Sequence, residues 1–396
     1  MSSIKNGIPV SIPQGSITDA LGARASNGPR RDPGRFSLLI KPAGAECNLR
    51  CAYCFYRPAR RLYRQTKHQR MAPEVLEQLV SSYLATTQPY YAFGWQGGEP
   101  TLMGVEFFRT LTRLQTQYGH PGSVIVNAVQ TNGTLVSDEL AAHWADYRFL
   151  VGISLDGPPV MHDHYRRDSQ GRRSHESVMA GISRLRRAGV AHNVLALVTD
   201  ANVRQPEKLY QYLVDHGFDF HQYIPCVEYS TSGNLLPYAV RADAWGDFLC
   251  GIFRRWYPRD VSRVSVRLFD ALIARLGGEE ILQCSMQPSC GGYVVVEHNG
   301  DVFPCDFQVD EELRLGNIME QSWEELLASA RYAAFCARKR DFHSDCAACE
   351  FLDLCGADCV KYRGGHWRTS SRQRSMLCHG WKKFFTLAVP RLKELR

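Results

Sequence analysis

The chain opens on polar sequence and then settles into an alternation of short apolar runs and segments of helical period. Residues 1–35 carry Arg24, Arg30, Arg31 and Arg35 among Gly, Pro and Asn without an apolar repeat, the pattern of a loosely docked arm. From there FSLLIK (36–41) reads as a buried strand and APEVLEQLVSSYLATT (72–87) as an amphipathic helix. The alternation continues with strand 91–96 and helix 105–119, then strand 123–132 and helix 137–147. Strand 149–156 and helix 175–189, strand 192–199 and helix 206–217, and strand 218–227 and helix 242–257 complete it. Ser137 is placed to cap its helix, and Pro206 and Gly217 bracket theirs.

Strands alternating with helices predict a parallel sheet with right-handed crossovers. The chain supplies six such pairs, too few for a closed eightfold barrel, so an open, partial (β/α)6 barrel is the expected α/β architecture. Past about 260 the pattern changes. VSVRLFDALIARL (264–276) reads as a bridging helix or strand–helix, and GYVVVEHNGDVFPCDF (292–307) as a hairpin turning at Asn299-Gly300. The expected organisation is a tail (1–35), a partial barrel (36–240), a bridge (241–283) and a Cys-rich domain of a small hairpin and short helices (284–396).

Unusual residues gather at one end of the barrel. The sequence Cys47-Asn-Leu-Arg-Cys51-Ala-Tyr-Cys54 follows the first strand, Gln96-Gly97-Gly98-Glu99-Pro100 the second, and Gln130-Thr131-Asn132-Gly133 the third. Ser154-Leu155-Asp156-Gly157 ends the fourth, Thr199 the fifth, and Cys226-Val227 the sixth. The C-terminal strand ends are where barrel enzymes build active sites.

Composition adds exclusions. With 44% hydrophobic and 22% charged residues, the chain is an ordinary globular protein and not a disordered one. Apolar runs are too short to span a membrane, and the N-terminus lacks a signal-type apolar stretch, so a cytoplasmic location is expected. A net charge of +7 over 396 residues gives no reason to invoke nucleic acid.

The 14 cysteines change the picture more. Three lie in the C-x3-C-x2-C loop, and eight more sit at 284, 290, 305, 346, 349, 355, 359 and 378. In a large chain without an export signal, clustered cysteines point to metal or iron–sulfur ligation. Three thiolates on one loop can hold three irons of a [4Fe–4S] cluster and leave the fourth open to a ligand. A zinc site is the alternative, although structural zinc takes four ligands and no His lies nearby. The eight C-terminal thiols suffice for two fully ligated clusters or for two structural zinc sites. Cys226, Cys250 and Cys336 read as packing residues. The basic run Arg57, Arg60, Arg61, Arg64, Lys67 and Arg70 reads as a solvated loop, or as a face for an acidic partner.

The CNLRCAYCFY and WQGGEPTLMG segments resemble the radical S-adenosylmethionine (SAM) superfamily, and the eight-Cys spacing resembles its twin-cluster SPASM extension. QTNGTLV, GISLDGPP, RLFD, CDF and LGNI narrow the likeness to the anaerobic sulfatase-maturating enzymes, from about residue 36 to the end. The resemblance implies three [4Fe–4S] clusters and SAM. The first cluster would take Cys47, Cys51 and Cys54. One auxiliary cluster would take Cys284, Cys290, Cys305 and Cys359, and the other Cys346, Cys349, Cys355 and Cys378.

It further implies SAM contacts at Tyr53, Gly98, Glu99, Ser154, Arg166 and Val227, a general base at Asp306, and a substrate pocket lined by Tyr56 and Gln96. Arg267 and Asp270 of RLFD are support residues on this reading or a simple ion pair. The implied reaction oxidises Cys or Ser in a sulfatase C/S-x-P/A-x-R segment to Cα-formylglycine, with electrons from a flavodoxin- or ferredoxin-like reductant. A SPASM maturase of a ribosomal peptide and a zinc-stabilised binding protein are the competing classes. The short N-terminal tail leaves little room for the peptide-recognition domain of the former.

Overall fold

The computed structural model describes residues 34–396 apart from 67, 231, 280–282, 365–369 and 396. The expectation of a loosely docked arm over 1–35 therefore falls almost wholly outside the described residues. The apolar runs form β1 (Ser37–Lys41), β2 (Tyr91–Trp95), β3 (Ile125–Thr131), β4 (Leu150–Ser154), β5 (His192–Val198) and β6 (Phe220–Pro225). These six pair in parallel in sequence order. Between them run α1 (Pro73–Leu84), α2 (Gly104–Tyr118), α3 (Asp138–Asp146), α4 (Pro159–Tyr165), α5 (His175–Ala188) and α6 (Pro206–Asp215). Then come α7 (Ala242–Trp256) and α8 (Arg267–Leu276).

Local signals act as their chemistry dictates. The Ser137 hydroxyl accepts from Leu140 N at 3.1 Å and caps α3. Pro206 sits in the first turn of α6, where its missing N–H costs nothing. The inward faces of strands and helices close over a core that includes Trp95, Phe93, Phe108, Trp144 and Phe149, all nearly free of solvent. Each such side chain contributes roughly 1.5–3 kcal/mol through burial.

The C-terminal part does not stand apart as expected. Hairpin strands β8 (Tyr293–Glu297) and β9 (Asp301–Phe303), with β10 (Gly316–Asn317), extend the barrel sheet itself. β8 lies parallel to β1, from Ser37 opposite Tyr293 to Lys41 opposite Glu297. At the other edge, β7 (Ser265–Val266) pairs with β6. The result is a single ten-stranded sheet in the order β10-β9-β8-β1-β2-β3-β4-β5-β6-β7. The bridging stretch 264–276 is a strand–helix, β7 followed by α8.

The Cys-rich region is built from α9 (Trp323–Leu327), α10 (Ala330–Ala337), α11 (Ser344–Ala347), α12 (Leu352–Cys355) and short 3-10 turns. It ends in α13 (Cys378–Lys393), which crosses back to pack on α7.

Candidate active site

The loop carrying the first three cysteines is held between the ends of β1 and β2. The backbone after β2 lies directly on it. Gly98 N donates to Gly44 O at 2.8 Å, and Glu99 N to Glu46 O at 2.7 Å. A Cβ on Gly98 would sit 1.8 Å from Glu46 O, so only glycine permits this approach. Glu99 is buried and spends its carboxylate inward. Its Oε1 accepts from Thr101 N (3.0 Å), Thr101 Oγ1 (2.6 Å) and Thr131 Oγ1 (2.6 Å), and its Oε2 from Asn132 N (2.8 Å). The end of β3 thereby joins the loop, and Asn132 Nδ2 reaches Asn48 Oδ1 at 2.8 Å and Cys47 Sγ at 3.7 Å.

Cys47, Cys51 and Cys54 lie close enough to feel one another's charge. Cys47 opens to solvent on one side yet loses enough water on the others to be pushed up to about 12, with Glu99 adding to the rise. Burial likewise lifts Cys51 to about 11. A cavity of about 950 Å³ opens over this loop, lined by Cys47, Cys54, Tyr238, Arg50, Arg57 and Arg61. Arg57–Tyr63 form a 3-10 turn at the rim of the cavity, with Arg57, Arg60, Arg61 and Arg64 exposed, while Lys67 of the basic run lies outside the described residues.

On the far side of the cysteine loop, the Arg166 side chain is 11% exposed. Its Nε donates to Asp156 Oδ2 at 2.8 Å and its Nη2 to Asp156 Oδ1 at 3.1 Å, the bidentate geometry its planar fork favours. Tyr53 O–H donates to the same carboxylate, with the guanidinium 5.5 Å from the ring centre. The Arg166 guanidinium outweighs the burial penalty and holds Asp156 below the usual carboxylate range. Sequence reasoning placed Tyr53 and Arg166 but overlooked Asp156, which joins them, although it stands in the singled-out Ser154–Gly157 strand end. Ser154 and Val227 are buried at the ends of β4 and β6.

Asp306 reaches the barrel because β8 and β9 extend its sheet. Gln96 Nε2 donates to Asp306 Oδ2 at 2.9 Å, and Lys41 Nζ lies 3.8 Å from the same oxygen. Oδ1 has a longer contact with Tyr293 O–H at 3.4 Å. Lys41 also lies 4.5 Å above the centre of the Tyr56 ring, and Tyr56 donates its hydroxyl to Glu297. Burial lowers the Lys41 pKa against the pull of Asp306 and Glu297. Lys41 thus stands between the Asp306–Gln96 pair and the Tyr56 ring. Lys41 and Glu297 went unread because each looks like an ordinary strand residue.

RLFD gives no ion pair: Asp270 accepts from Ser265 Oγ, and Arg267 donates to Gln222 Oε1 at 3.0 Å.

The eight C-terminal thiols sort into two neighbourhoods. Cys284 adjoins Cys290, and Cys305 and Cys359 act on each other and on Cys284. Cys346 acts with Cys349 and Cys378, and Cys355 with Cys378 and Cys346. Burial lifts Cys284 to about 11 and Cys359 to about 12. Thiols so disfavoured as free anions gain most from binding a cation, and metal binding displaces their protons.

Among the described residues no three His, Cys, Asp or Glu side chains form a site for one metal ion. An iron–sulfur cluster asks for something else, thiolates distributed over several irons. The donor chemistry therefore fits clusters. Cys226 and Cys250 are buried packing residues as expected, while Cys336 is only half-buried, its carbonyl accepting from Cys290 N at 3.3 Å. Among the described residues no helix is long and apolar enough to cross a membrane.

Residues 43–213 match the radical SAM superfamily, and residues 284–350 the SPASM iron–sulfur cluster-binding domain. The serine-type anaerobic sulfatase-maturating enzyme of Bacteroides thetaiotaomicron is 34% identical over 370 residues, 89% of each chain. The cysteine-type enzyme of Clostridium perfringens is 35% identical over 360 residues, covering 90% of this chain and 97% of its own.

The solved structure of native anSMEcpe with bound AdoMet superposes with a TM-score of 0.84 at 34% identity, covering 91% of this chain and 99% of its own. The same enzyme with AdoMet and the Kp18Cys peptide gives 0.85 at 35%, covering 91% and 98%. Streptococcus suis SuiB bound to precursor peptide SuiA shares the fold at 16% identity and a TM-score of 0.61, covering 87% and 76%. By sequence along nine-tenths of its length and by fold, this chain belongs to the anaerobic sulfatase-maturating enzymes, radical SAM and SPASM iron–sulfur enzymes that convert a Cys or Ser to formylglycine.

Proposed function

We propose that this chain acts on a C/S-x-P/A-x-R segment of a sulfatase in the cytoplasm, with Asp306 as the base that takes the substrate thiol or hydroxyl proton. The single observation that carries this is the Asp306–Gln96–Lys41 contact, which sets a carboxylate from the Cys-rich part against the ends of β1 and β2.

When bound, SAM and the first cluster supply the radical chemistry that removes a substrate Cβ hydrogen. The protein's own residues do the rest. Cys47, Cys51 and Cys54 hold the cluster, and the Gly97-Gly98 turn, fixed by Glu99, keeps that loop on the barrel. Tyr53, Ser154 and Val227 line the SAM side. Asp156 orients Arg166, whose Nη1 has no partner among the described residues and is available to a carboxylate. Gln96 holds Asp306 Oδ2 and Tyr293 contacts Oδ1, which fixes the carboxylate that receives the proton. Lys41 sits 3.8 Å from that carboxylate, and Tyr56 walls the pocket from Glu297. The two auxiliary sets of four thiolates would hold the clusters that take up the second electron. The arginine rim of the cavity, Arg57, Arg60, Arg61 and Arg64, suits an acidic flavodoxin- or ferredoxin-like reductant.

The test is anaerobic. Reconstituted protein is mixed with SAM, a strong reductant and two peptides, one C-x-P-x-R and one S-x-P-x-R, and the products are read by mass spectrometry. Aldehyde formation in either peptide together with 5′-deoxyadenosine confirms the reading and fixes the substrate type. Deoxyadenosine with both peptides unchanged overturns the substrate assignment.

A further inference from the structure

Two cations are buried where the two C-terminal thiol sets meet. Lys339 and Arg363 are each only 1% exposed. Lys339 Nζ donates to the carbonyls of Cys284 (3.0 Å) and Ser285 (2.7 Å). Arg363 Nε donates to Ala357 O at 2.7 Å, Nη2 to Asp358 O at 3.0 Å, and Nη1 to Lys339 O at 3.0 Å. Ala357 and Asp358 are the link between Cys355 of one set and Cys359 of the other. Both cations act on thiols of both sets: Arg363 on Cys346, Cys359 and Cys290, and Lys339 on Cys284, Cys290, Cys359 and Cys355.

Neither forms an ion pair with a carboxylate among the described residues. Asp358 acts on both, yet its oxygens are taken by Ser375 Oγ (2.6 Å), Trp381 Nε1 (2.8 Å) and Cys359 N (2.7 Å). Asp341, which also acts on Arg363, lies at the surface paired with Arg372 at 2.7 Å. One buried carboxylate for two buried cations leaves an excess of positive charge in a low-dielectric interior, an arrangement that costs stability unless further anions arrive. Neutral donors would hold the same carbonyls without that cost.

A cluster held by four thiolates is such an anion, since the thiolates outweigh the charge of the iron–sulfur core in both oxidation states. It becomes more anionic when it takes an electron. Net charge and hydrogen bonding are among the determinants of cluster potential.

We propose that Lys339 and Arg363 form a cationic septum between the auxiliary clusters that raises their reduction potentials and so lets them accept the electron leaving the substrate. In that step the substrate radical is oxidised, one auxiliary cluster is reduced, and the proton goes to Asp306. The two residues tune the clusters and touch neither substrate nor SAM.

The proposal rests on reading the two thiol sets as cluster ligands, and the experiment separates the two. Iron and sulfide analysis of the reconstituted full-length chain comes first, and a parent protein without auxiliary clusters overturns the ligand reading itself. With clusters present, EPR-monitored redox titration compares the parent with Lys339→Met and Lys339→Arg. The expected result is at least a tenfold loss in the reduction equilibrium of an auxiliary cluster in the Met variant, 59 mV for one electron, largely restored by Arg. Auxiliary potentials within twofold of the parent in the loaded Met variant overturn the septum.

Thermal melts cover the case of poor loading. A charge placed for the clusters leaves the apo Lys339→Met chain as stable as the parent or more so, and weakens only the loaded one. Equal loss in both states marks Lys339 as a plain carbonyl clamp and overturns the proposal. Arg363→Lys, which keeps the charge, is expected to leave the potentials close to those of the parent.

Discussion

Asp306 shows what one residue owes to its surroundings. Its Oδ2 is already satisfied by Gln96 at 2.9 Å, so a neutral amide at this position keeps most of the geometry and loses the basicity. Asp306→Asn is therefore expected to release 5′-deoxyadenosine at near the parent rate while formylglycine falls by about 10²–10⁴, the usual worth of a general base. Parent-like product formation in that variant would falsify the base assignment.

Gly98 makes the opposite case, a residue defined by what it lacks. With a Cβ placed 1.8 Å from a backbone oxygen, Gly98→Ala has to lift the β2 loop off the first cysteine loop. The expected outcome is a folded chain that holds the two auxiliary clusters and loses the first, read as a one-third drop in bound iron. Full iron content would show that the loop tolerates the shift.

His162 carries a pH signature. It is wholly buried, with Asp156 N donating to its Nδ1 at 3.3 Å and Ser174 Oγ 3.0 Å from its Nε2, and burial lowers it from 6.5 to about 3. The unfolded chain takes up this proton below pH 6.5 and the folded chain does not, so stability is lost as pH falls. His162 alone accounts for about 2 kcal/mol between pH 7 and pH 5. Denaturant titrations of the apo chain at the two pH values should show that fall, reduced in His162→Gln.

The strands and helices of the barrel could be read from residues alone, because each signal is local: an apolar run, a helical period, Ser137 as a cap, Pro206 and Gly217 as brackets. What escaped was long-range. Nothing in YVVVE announces that it will lie beside SLLIK, some 250 positions earlier, because a strand's partner is not encoded in its own pattern. The helix α13 escaped for a related reason. Its Pro390 and its Lys and Arg residues mask an amphipathic period whose buried face packs against α7 and α8. There Gly246 and Gly380 let the two backbones touch, and a Cβ on Gly246 would lie 2.8 Å from Gly380 Cα.

The magnitudes decide the sign of a substitution at that crossing. Gly246→Ala gains about 0.8–1 kcal/mol in helix propensity and loses about 1–3 kcal/mol through overpacking. Net destabilisation is expected, and more of it for Gly380→Ala, whose Cβ would meet the Ala242 carbonyl at 2.2 Å. Urea midpoints for the two variants should fall in that order, and a rise for either would show that the helices part easily.

At the scale of the whole molecule, the proposed active site lies across a junction that sequence reasoning drew as a domain boundary. The SAM-side residues and Gln96 come from the barrel, and Asp306 and eight of the cluster thiols from beyond residue 283. The ten-stranded sheet joins the two parts: β8 covers the edge of β1, and α13 covers α7. A chain ending at 283 would expose β1 as a bare apolar edge, a template for aggregation, and would strip the large side chains Trp245 and Phe253 of their α13 partners Trp381 and Phe384. The two parts are thus expected to unfold together in the apo protein, with tryptophan fluorescence and far-ultraviolet circular dichroism tracing one coincident urea transition. The truncated chain is expected to aggregate on expression. Separate transitions, or a soluble and folded 1–283 fragment, would show that the barrel stands alone and that the Cys-rich part docks onto a finished scaffold. A single transition would instead make completion of the fold and delivery of Asp306 to Gln96 at the end of β2 one event.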